Sequence, residues 1–440
     1  MGKFLIYGGK PLFGNVNAAG SKNVALKVII ASLLSREQIV LKNIPNLSDL
    51  HVLEEIIRLF GTNISWRNST MYLNSAKINP AQIPVDQSKK LRASFMLIAP
   101  LLTRFSKVKI PNPGGDKIGA RPIERSIEGL KKLGVIINVC EDGYICACKN
   151  GLKGATYKFE KNTHTGTETL ILAGVLTKGR TVLENAAEEP EIDDLIDFLN
   201  ELGADIKRIN KRTIVINGVA QLKGGSYEIM ADRNEVVTFA VAAYITHGKI
   251  CIPNANKKYI SAFLQKLDEV HCVWKKSSSG LEFEYKNEIK IANVETKPYP
   301  GFMTDWQAPW SLLMTQAKGD SVIHETIYED RFGYVKELVK MGAKISLFNP
   351  KVKNPESFYN FNWSDRKKKS FHAIKIHGPT VFTPSNVIIS DLRAGATLVL
   401  AALTVKGKTT LEGIEHIDRG YENFENRLNS LGANIERIKE

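Results

Sequence analysis

The stretch Leu398-Val399-Leu400-Ala401-Ala402-Leu403 is apolar on every face, and a polar turn links it to a short β-branched run that ends at Leu411. A helix that is apolar all round is typical of a buried core position. Five more stretches have the same pattern, at 29–44, 97–110, 170–183, 239–252 and 312–323. Recurrence at a period of about 70 residues predicts six copies of one supersecondary unit.

Each copy continues into an amphipathic segment and then into alternating strands. Five of these segments end in Gly, the residue expected at a left-handed helix end, whereas the copy at 260–268 lacks it. A copy therefore reads strand, buried helix, strand, surface helix, strand, strand, or βαβαββ. Six copies in two groups of three predict an α/β (α+β) fold of two domains, with the boundary near 230–233. The stretch 348–371, rich in Lys, Asn and Ser, is interpreted as a surface insertion.

Composition narrows the class of protein. The 440 residues include 43% hydrophobic and 24% charged residues and no apolar run near the roughly 18 residues of a membrane span, so we expect a soluble, cytoplasmic protein. Five cysteines are too few for a disulfide scaffold, and eight scattered histidines predict no metal site. The net charge of +14 comes without an arginine-rich arm or aromatic-basic repeat, so no nucleic-acid partner is predicted.

Cations recur close to the predicted helix starts. A cation there opposes the helix dipole at a cost of about 0.3 to 1 kcal/mol, so helix stability does not explain seven of them. They fit a cleft that binds a polyanion through backbone amides and guanidinium groups, although an Asp-Arg surface pair would explain any single one. Asp305 has the opposite sign, as removal of a proton from a hydroxyl group would require. The cations are Lys22, Arg92, Arg121, Arg233, Arg331, Arg393 and Arg419.

The segment 111–122 is too rich in Gly and Pro to be regular. It matches neither the P-loop nor the dinucleotide-binding fingerprint, which argues against an ATP or NAD site there. One acid and two cations on such a loop indicate either a lid that closes over an anionic substrate or a solvent-exposed hairpin.

Seven ordered motifs resemble those of the enolpyruvyl transferases, essentially from end to end. They are Ser21-Lys22-Asn23, Leu91-Arg92-Ala93-Ser94, 114–122, Glu189-Pro190-Glu191-Ile192, Thr304-Asp305-Trp306-Gln307, Asp391-Leu392-Arg393-Ala394 and 416–422. The resemblance implies two inside-out α/β barrel domains, each of three βαβαββ units. One would comprise 1–21 plus 232–440, and the other 22–231 with a mobile lid at about 111–122.

The amino-sugar branch of this family implies a definite reaction. The enolpyruvyl group of phosphoenolpyruvate would pass to the 3′-hydroxyl of UDP-N-acetylglucosamine with release of phosphate. This is the first committed step of peptidoglycan synthesis, which supports cell shape and cell division. The resemblance implies no cofactor, no partners beyond these two substrates, no nucleic acid or membrane, and a monomer or weak homo-oligomer.

The resemblance also assigns roles to residues. Catalysis would fall to Lys22, Asp305 and Asp116, which takes the place of the family's usual lid cysteine and would protonate the methylene carbon. Lys22, Arg121 and Arg419 would hold phosphoenolpyruvate, Arg331 and Arg393 would complete the cationic cleft, and Asn23 and Asp305 would contact the sugar. The uridine diphosphate part would contact Arg92, Arg121, Pro122, Ile123, Glu124, Arg125, His164, Thr165, Gly166 and Ile327.

Three departures from the family pattern, Met96, Ser126 and Asn162, lie in segments implied in nucleotide binding. They leave open enolpyruvyl transfer to shikimate 3-phosphate or to another nucleotide. An RNA 3′-phosphate cyclase would need a nucleophilic histidine, and no histidine lies in a comparable motif. A non-catalytic binding protein would not need Asp116 and Asp305 among seven cations. Because a carboxylate attacks an epoxide less well than a thiolate, resistance to fosfomycin is also predicted.

Overall fold

The computed structural model describes residues 2–115, 118–278 and 280–438. The chain divides into two compact units. The first unit consists of Met1–Ala19, Asp116–Arg121 and Ala231–Glu440, and the second of Gly20–Gly115 and Pro122–Met230. These divisions lie one or two residues from the predicted domain boundaries at 21/22 and 231/232, which remain predictions. The loop predicted as a lid is split, since 111–115 belongs to the second unit and 118–121 to the first.

The described residues form twenty-three strands. They are β1 Lys3–Tyr7, β2 Phe13–Asn15, β3 Gln38–Lys42, β4 Asn63–Arg67, β5 Thr70–Asn74, β6 Lys107–Pro111, β7 Ile136–Cys140, β8 Gly143–Ala147, β9 Thr156–Lys158, β10 Arg180–Glu184, β11 Asp205–Asn210, β12 Thr213–Asn217, β13 Gly225–Glu228, β14 Lys249–Ile252, β15 Val273–Ser277, β16 Gly280–Glu284, β17 Val294–Glu295, β18 Gly319–His324, β19 Lys344–Phe348, β20 Ala373–Gly378, β21 Asn386–Ile388, β22 Lys408–Glu412 and β23 Ile435–Ile438.

Fifteen α-helices occur in the same part of the chain. They are α1 Lys22–Ala31, α2 Ser48–Leu59, α3 Val85–Lys90, α4 Ile98–Phe105, α5 Glu124–Lys132, α6 His164–Gly174, α7 Pro190–Glu201, α8 Arg233–Ile245, α9 Ser261–Glu269, α10 Gln307–Met314, α11 Val335–Lys340, α12 Pro355–Phe358, α13 Leu392–Leu403, α14 Glu415–Asp418 and α15 Phe424–Ser430. Short 3₁₀ helices cover Ser32–Leu34, Arg92–Leu97, Lys257–Ile260, Thr304–Trp306 and Trp363–Asp365.

The strands form six sheets within the described ranges, three in each unit. The first unit has β21-β22-β1-β23, β15-β16-β14-β2 and β17-β18-β20-β19, and the second has β11-β12-β10-β9, β13-β3-β5-β4 and β6-β8-β7. In every four-stranded sheet one edge strand pairs in parallel with its neighbour, and the remaining pairs are antiparallel. This common order is what a repeated unit produces, and only β6-β8-β7 lacks the parallel strand.

The cores consist of the helices predicted to be buried. Every side chain of α8 and of α13 is buried, and α8, α10 and α13 pack on one another in the core of the first unit. In the second unit α4 packs on α6, and both contribute with α1 to a separate core. These helices are apolar on every face because sheet or helix covers every face. The prediction of buried helices is confirmed.

The ends of the surface helices also follow the prediction. The glycines after α2, α5, α7, α11 and α15 all have a positive φ, between 92° and 110°. After α9, where the sequence lacks this Gly, His271 adopts φ 61°. The left-handed conformation is therefore retained in the fourth copy without the residue that adopts it most easily. None of the helices in the described ranges is long and apolar enough to cross a membrane.

The predicted surface insertion is only partly at the surface. It connects β19 to β20, which pair as antiparallel neighbours. Two of its aromatic residues, Tyr359 and Phe361, are buried with His372, whereas Phe358 and Phe371 are exposed. The Tyr359 ring stacks on Trp363 at 5.0 Å, and Arg366 lies 4.0 Å from the Trp363 ring centroid. The high content of Lys, Asn and Ser led to the prediction of a surface segment. The small aromatic core nevertheless packs this segment against the sheet, where Tyr359 contacts His324.

We expect Tyr359→Ala to lower the free energy of unfolding by about 3 kcal/mol, because it removes a fully buried ring from this cluster. Tyr359→Phe keeps the ring and should cost about 1 kcal/mol through loss of the hydroxyl contact with His324, 3.0 Å away. Urea titration followed by fluorescence measures both effects. Equal and small losses in the two variants would show that the aromatic cluster does not stabilise the insertion.

Candidate active site

Asp305 lies in the 3₁₀ helix that leads into α10. The Arg331 side chain donates a hydrogen bond of 2.6 Å from Nη2 to Oδ1 of Asp305, and Nη2 of Arg393 lies 3.5 Å from Oδ2. Arg393 is held in place because Asp391, the N-cap of α13, accepts the backbone N–H groups of Arg393 and Ala394 at 3.0 Å. One carboxylate thus lies between two buried guanidinium groups.

The charge state of Asp305 follows from these neighbours. Burial acts to raise the pKa of Asp305, but the guanidinium groups of Arg393 and Arg331 outweigh burial and lower the pKa below its ordinary value. Arg233 and Arg121 lower it further. Asp305 is consequently a carboxylate throughout the neutral pH range. About a quarter of its side chain remains exposed, so a substrate can reach it.

Glu325 connects the segment that carries Asp305 to the backbone turn at 327–328. Its Oε2 accepts a hydrogen bond of 2.9 Å from the Thr304 hydroxyl, next to Asp305. Its Oε1 accepts the backbone N–H groups of Ile327 at 2.8 Å and Tyr328 at 3.1 Å. Burial raises the pKa of Glu325, although Arg331 opposes the rise. The sequence predicted a role for Ile327 but none for Glu325. The contacts of Glu325 with the backbone turn at 327–328 become visible only in the folded structure.

Glu329 contacts the segment 118–121 within the same unit. The backbone N–H of Ala120 donates to Oε1 of Glu329. A side chain at Gly119, which has φ 154°, would place its Cβ 2.4 Å from Oε2 of Glu329. Gly119 therefore permits the close approach. This contact holds the residue before Arg121, whose φ is 50° and whose charge acts on Asp305.

Lys22 is the first residue of α1 in the second unit, after the N-cap Ser21. It is buried, and its Nζ lies 2.7 Å from Oδ2 of the buried Asp49. A buried lysine needs a partner because desolvation of an isolated charge costs several kcal/mol. Sequence reasoning missed Asp49, which in the first turn of α2 has the ordinary placement of an acid that favours the helix dipole.

The remaining predicted residues of the second unit lie at the starts of four helices. Asn23 follows Lys22 in α1 and Arg92 begins a 3₁₀ helix, and both are half-buried. Ile123 is the N-cap of α5, preceded by Pro122 and followed by Glu124 and Arg125. His164, Thr165 and Gly166 form the first turn of α6, where Gly166 N–H donates to the N-cap hydroxyl of Thr163 at 3.2 Å.

Three expectations need correction, and the prediction for Asp116 falls outside the described residues. Arg419 ends the short helix α14 and does not precede one, so its charge suits that helix. Arg331 lies four residues before α11, too far to affect its first turn. Arg121 belongs to the first unit and Pro122 to the second, so the predicted stretch 121–125 is divided. Asp116, the predicted proton donor, lies outside the described residues, as does Lys117.

A family model covers nearly the whole chain. It is described as EPSP synthase (3-phosphoshikimate 1-carboxyvinyltransferase) and matches residues 6–428. The fold agrees, since the enolpyruvyl transferase NikO from Streptomyces tendae superposes with a TM-score of 0.87 over 100% of this chain and 99% of its own, at 23% identity. An EPSP synthase from Acinetobacter baumannii superposes with a TM-score of 0.72 over the full length of both chains, at 17% identity. The match of the family model over residues 6–428 shows that the chain is a member of the carboxyvinyltransferases.

Full-length relatives indicate which branch of the carboxyvinyltransferases the chain belongs to. A UDP-N-acetylglucosamine 1-carboxyvinyltransferase from Idiomarina loihiensis is 41% identical over 100% of both chains. One from Buchnera aphidicola is 40% identical, also over 100% of both chains. The chain belongs to the UDP-N-acetylglucosamine 1-carboxyvinyltransferase family.

Proposed function

We propose that this enzyme transfers the enolpyruvyl group of phosphoenolpyruvate to the 3′-hydroxyl of UDP-N-acetylglucosamine and releases phosphate, the first committed step of peptidoglycan synthesis. The observation that carries the proposal is the Asp305 carboxylate, kept deprotonated by Arg331 and Arg393 yet open to a substrate. Such a group accepts a hydroxyl proton, while the guanidinium groups attract the phosphate and carboxylate of phosphoenolpyruvate. Full-length relatives of this name favour this acceptor over shikimate 3-phosphate.

The reaction then follows addition and elimination. Lys22, Arg121 and Arg419 hold phosphoenolpyruvate, and Asn23 and Asp305 contact the sugar. As the 3′-oxygen adds to the central carbon of phosphoenolpyruvate, Asp305 takes the hydroxyl proton and an acid protonates the methylene carbon. Loss of phosphate and of a methyl proton restores the double bond. When the guanidinium groups turn toward the substrate anions, the pKa of Asp305 rises from its lowered value, so the carboxylate becomes a better base during the reaction.

Asp116 is the proposed acid for the methylene carbon. A carboxylic acid delivers a proton as a thiol does, but cations near it in sequence favour its ionised form. The phosphate dianion of bound phosphoenolpyruvate has the opposite effect and would favour protonation in the complex. This role stems from the resemblance of the motif Gly114-Gly115-Asp116-Lys117 to the family pattern, and the other residue assignments stem from the other motifs of that resemblance.

The Asp at position 116 predicts poor inactivation by fosfomycin. Mass spectrometry after exposure to the drug should find no adduct at position 116, because a carboxylate attacks the epoxide far less readily than a thiolate. The matched variant Asp116→Cys should gain one adduct per chain. A stoichiometric adduct at Asp116 in the unchanged enzyme would contradict the prediction.

We also propose the finer architecture of the family for this chain. The domains would be 1–21 plus 232–440 and 22–231, each an inside-out barrel of three βαβαββ units around buried helices. Three sheets and three buried helix positions in each unit support this arrangement. A cytoplasmic enzyme that acts as a monomer or weak homo-oligomer, without a cofactor, completes the proposal.

The decisive assay is release of phosphate from phosphoenolpyruvate with UDP-N-acetylglucosamine, with shikimate 3-phosphate and with no acceptor. We expect phosphate release only in the reaction that contains both phosphoenolpyruvate and UDP-N-acetylglucosamine. Turnover with shikimate 3-phosphate only would reassign the acceptor, and absence of phosphate release with every acceptor would contradict the proposed reaction.

A further inference from the structure

Three charged side chains meet in the core of the second unit. Glu168, on α6, is completely buried, and its Oε2 lies 3.3 Å from Nζ of Lys27 on α1. Its Oε1 lies 3.1 Å from Nε2 of His164, one turn earlier on α6. Both oxygens of the Glu168 carboxylate therefore lie within ion-pair distance of a basic side chain.

This arrangement has a cost that packing does not explain. Desolvation of a fully buried ionic cluster costs free energy, and well-packed apolar residues at these positions would often be as stable or more so. Lys27 lies within an otherwise apolar run of α1, which bears Lys22 at its start. The cluster therefore links the helix that carries Lys22 to the helix that begins at His164.

His164 is the member that opens outward. It is the first residue of α6, after the N-cap Thr163, and about a quarter of its side chain is exposed. A cation at a helix start is opposed by the helix dipole, so an imidazolium there requires a compensating negative charge. Glu168 supplies this negative charge from the buried side of His164, and the exposed part of the ring can contact an anion.

We propose that Glu168 is a positioning residue that maintains His164 as an imidazolium facing the diphosphate of the nucleotide substrate, with Lys27 as the opposing charge that limits this effect. The inference rests on the proposed function and deepens it, because it assigns the pH dependence of nucleotide affinity to a cluster behind the binding residues. Lys27 and Glu168 do not touch the substrate.

The charges that face His164 come from three elements. Burial acts to lower the pKa of His164, and Glu168 on its own helix outweighs burial and raises it. Glu189, the N-cap of α7, raises the pKa further, and Lys27 on α1 lowers it. The net direction is upward, so His164 in the folded protein loses its proton at a higher pH than a free histidine does. The nucleotide should consequently bind more tightly below this pKa than above it.

The test compares two substitutions in one cluster with opposite expected effects. Glu168→Gln preserves shape and removes the negative charge, so the titration midpoint of His164 should fall. Lys27→Met removes the opposing positive charge, so the midpoint should rise. NMR titration of the full-length apo enzyme, labelled at histidine Cε1 and assigned with His164→Gln, measures both midpoints. Circular dichroism verifies that each variant is folded.

Steady-state kinetics against pH then tests the consequence. At pH 7 we expect Glu168→Gln to raise KM for UDP-N-acetylglucosamine about tenfold with a much smaller change in kcat, and to shift the rise of KM with pH to lower pH. Lys27→Met should shift that rise to higher pH. Opposite shifts cannot result from general damage to the core, which would move both variants in the same direction.

Each result has one meaning. Opposite shifts in both NMR midpoint and KM profile support the proposal. Midpoints that do not move, or that move while the KM profiles stay unchanged, overturn it. Absence of phosphate release by the unchanged enzyme at every pH would instead refute the proposed function, and that result is recognised before any variant is compared.

Discussion

Asp305→Asn should lower kcat for phosphate release about 10³-fold, the usual contribution of a general base. The amide is isosteric and can still accept the Arg331 hydrogen bond, so the site keeps its shape while it loses the group that takes the hydroxyl proton. KM for both substrates should change far less than kcat. Stopped-flow or coupled measurement of phosphate gives the rate.

Asp320→Asn is the matched control, because Asp320 is an exposed aspartate of the same unit that also contacts basic side chains, those of Lys375 and His377. We expect it to retain activity within about twofold, as for other exposed ion pairs. Turnover of Asp305→Asn within tenfold of the unchanged enzyme would show that another group removes the proton.

Lys22→Met should reduce kcat/KM for phosphoenolpyruvate about 10²-fold. Lys22 is a buried cation at the start of α1, and a charge-assisted contact with a substrate anion is worth about 1.5 to 3 kcal/mol. Loss of the cation also leaves the Asp49 carboxylate without the partner that lies 2.7 Å away. Steady-state kinetics with each substrate varied in turn measures the effect.

Two further variants serve as controls for Lys22→Met. Lys42→Met changes an exposed lysine of β3 and should leave both constants within twofold. Asp49→Asn keeps the Lys22 charge and should have a smaller effect than Lys22→Met. If Lys42→Met matched Lys22→Met, the loss would reflect the net charge of the protein and not a specific contact.

The repeated helices and their ends were predictable because they depend on local patterns. A run such as 398–403, apolar on every face, is stable only when covered, and a Gly at the end of an amphipathic segment favours a left-handed turn. His271 shows the limit of the second rule, since the backbone keeps the turn when the Gly is absent. The order of strands within each sheet was not predictable, because β1, β2 and β13 pair with strands far away in sequence.

Within the candidate site, the sequence predicted which residues carry charge but not which of them pair. The recurring motifs identified Asp305, Arg331 and Arg393 as charged residues of the site, and the structure shows that they pair. The ion pairs of Lys22 with Asp49 and of Lys27 with Glu168 depend on how helices pack, which the motifs do not show. Lys27 offered a signal, since a charge inside an apolar helix needs a partner. Arg419 was misplaced because the four-residue helix α14 is too short to show a period.

The position of β1 governs when the protein can finish folding during translation. β1 lies between β22 and β23, so the first strand made must wait for the last two before its sheet exists. The second unit needs only residues 20–115 and 122–230, which leave the ribosome earlier. During translation the second unit can therefore fold while β1 is still unpaired. The first unit should complete its fold later, because its sheet needs strands from both ends of the chain.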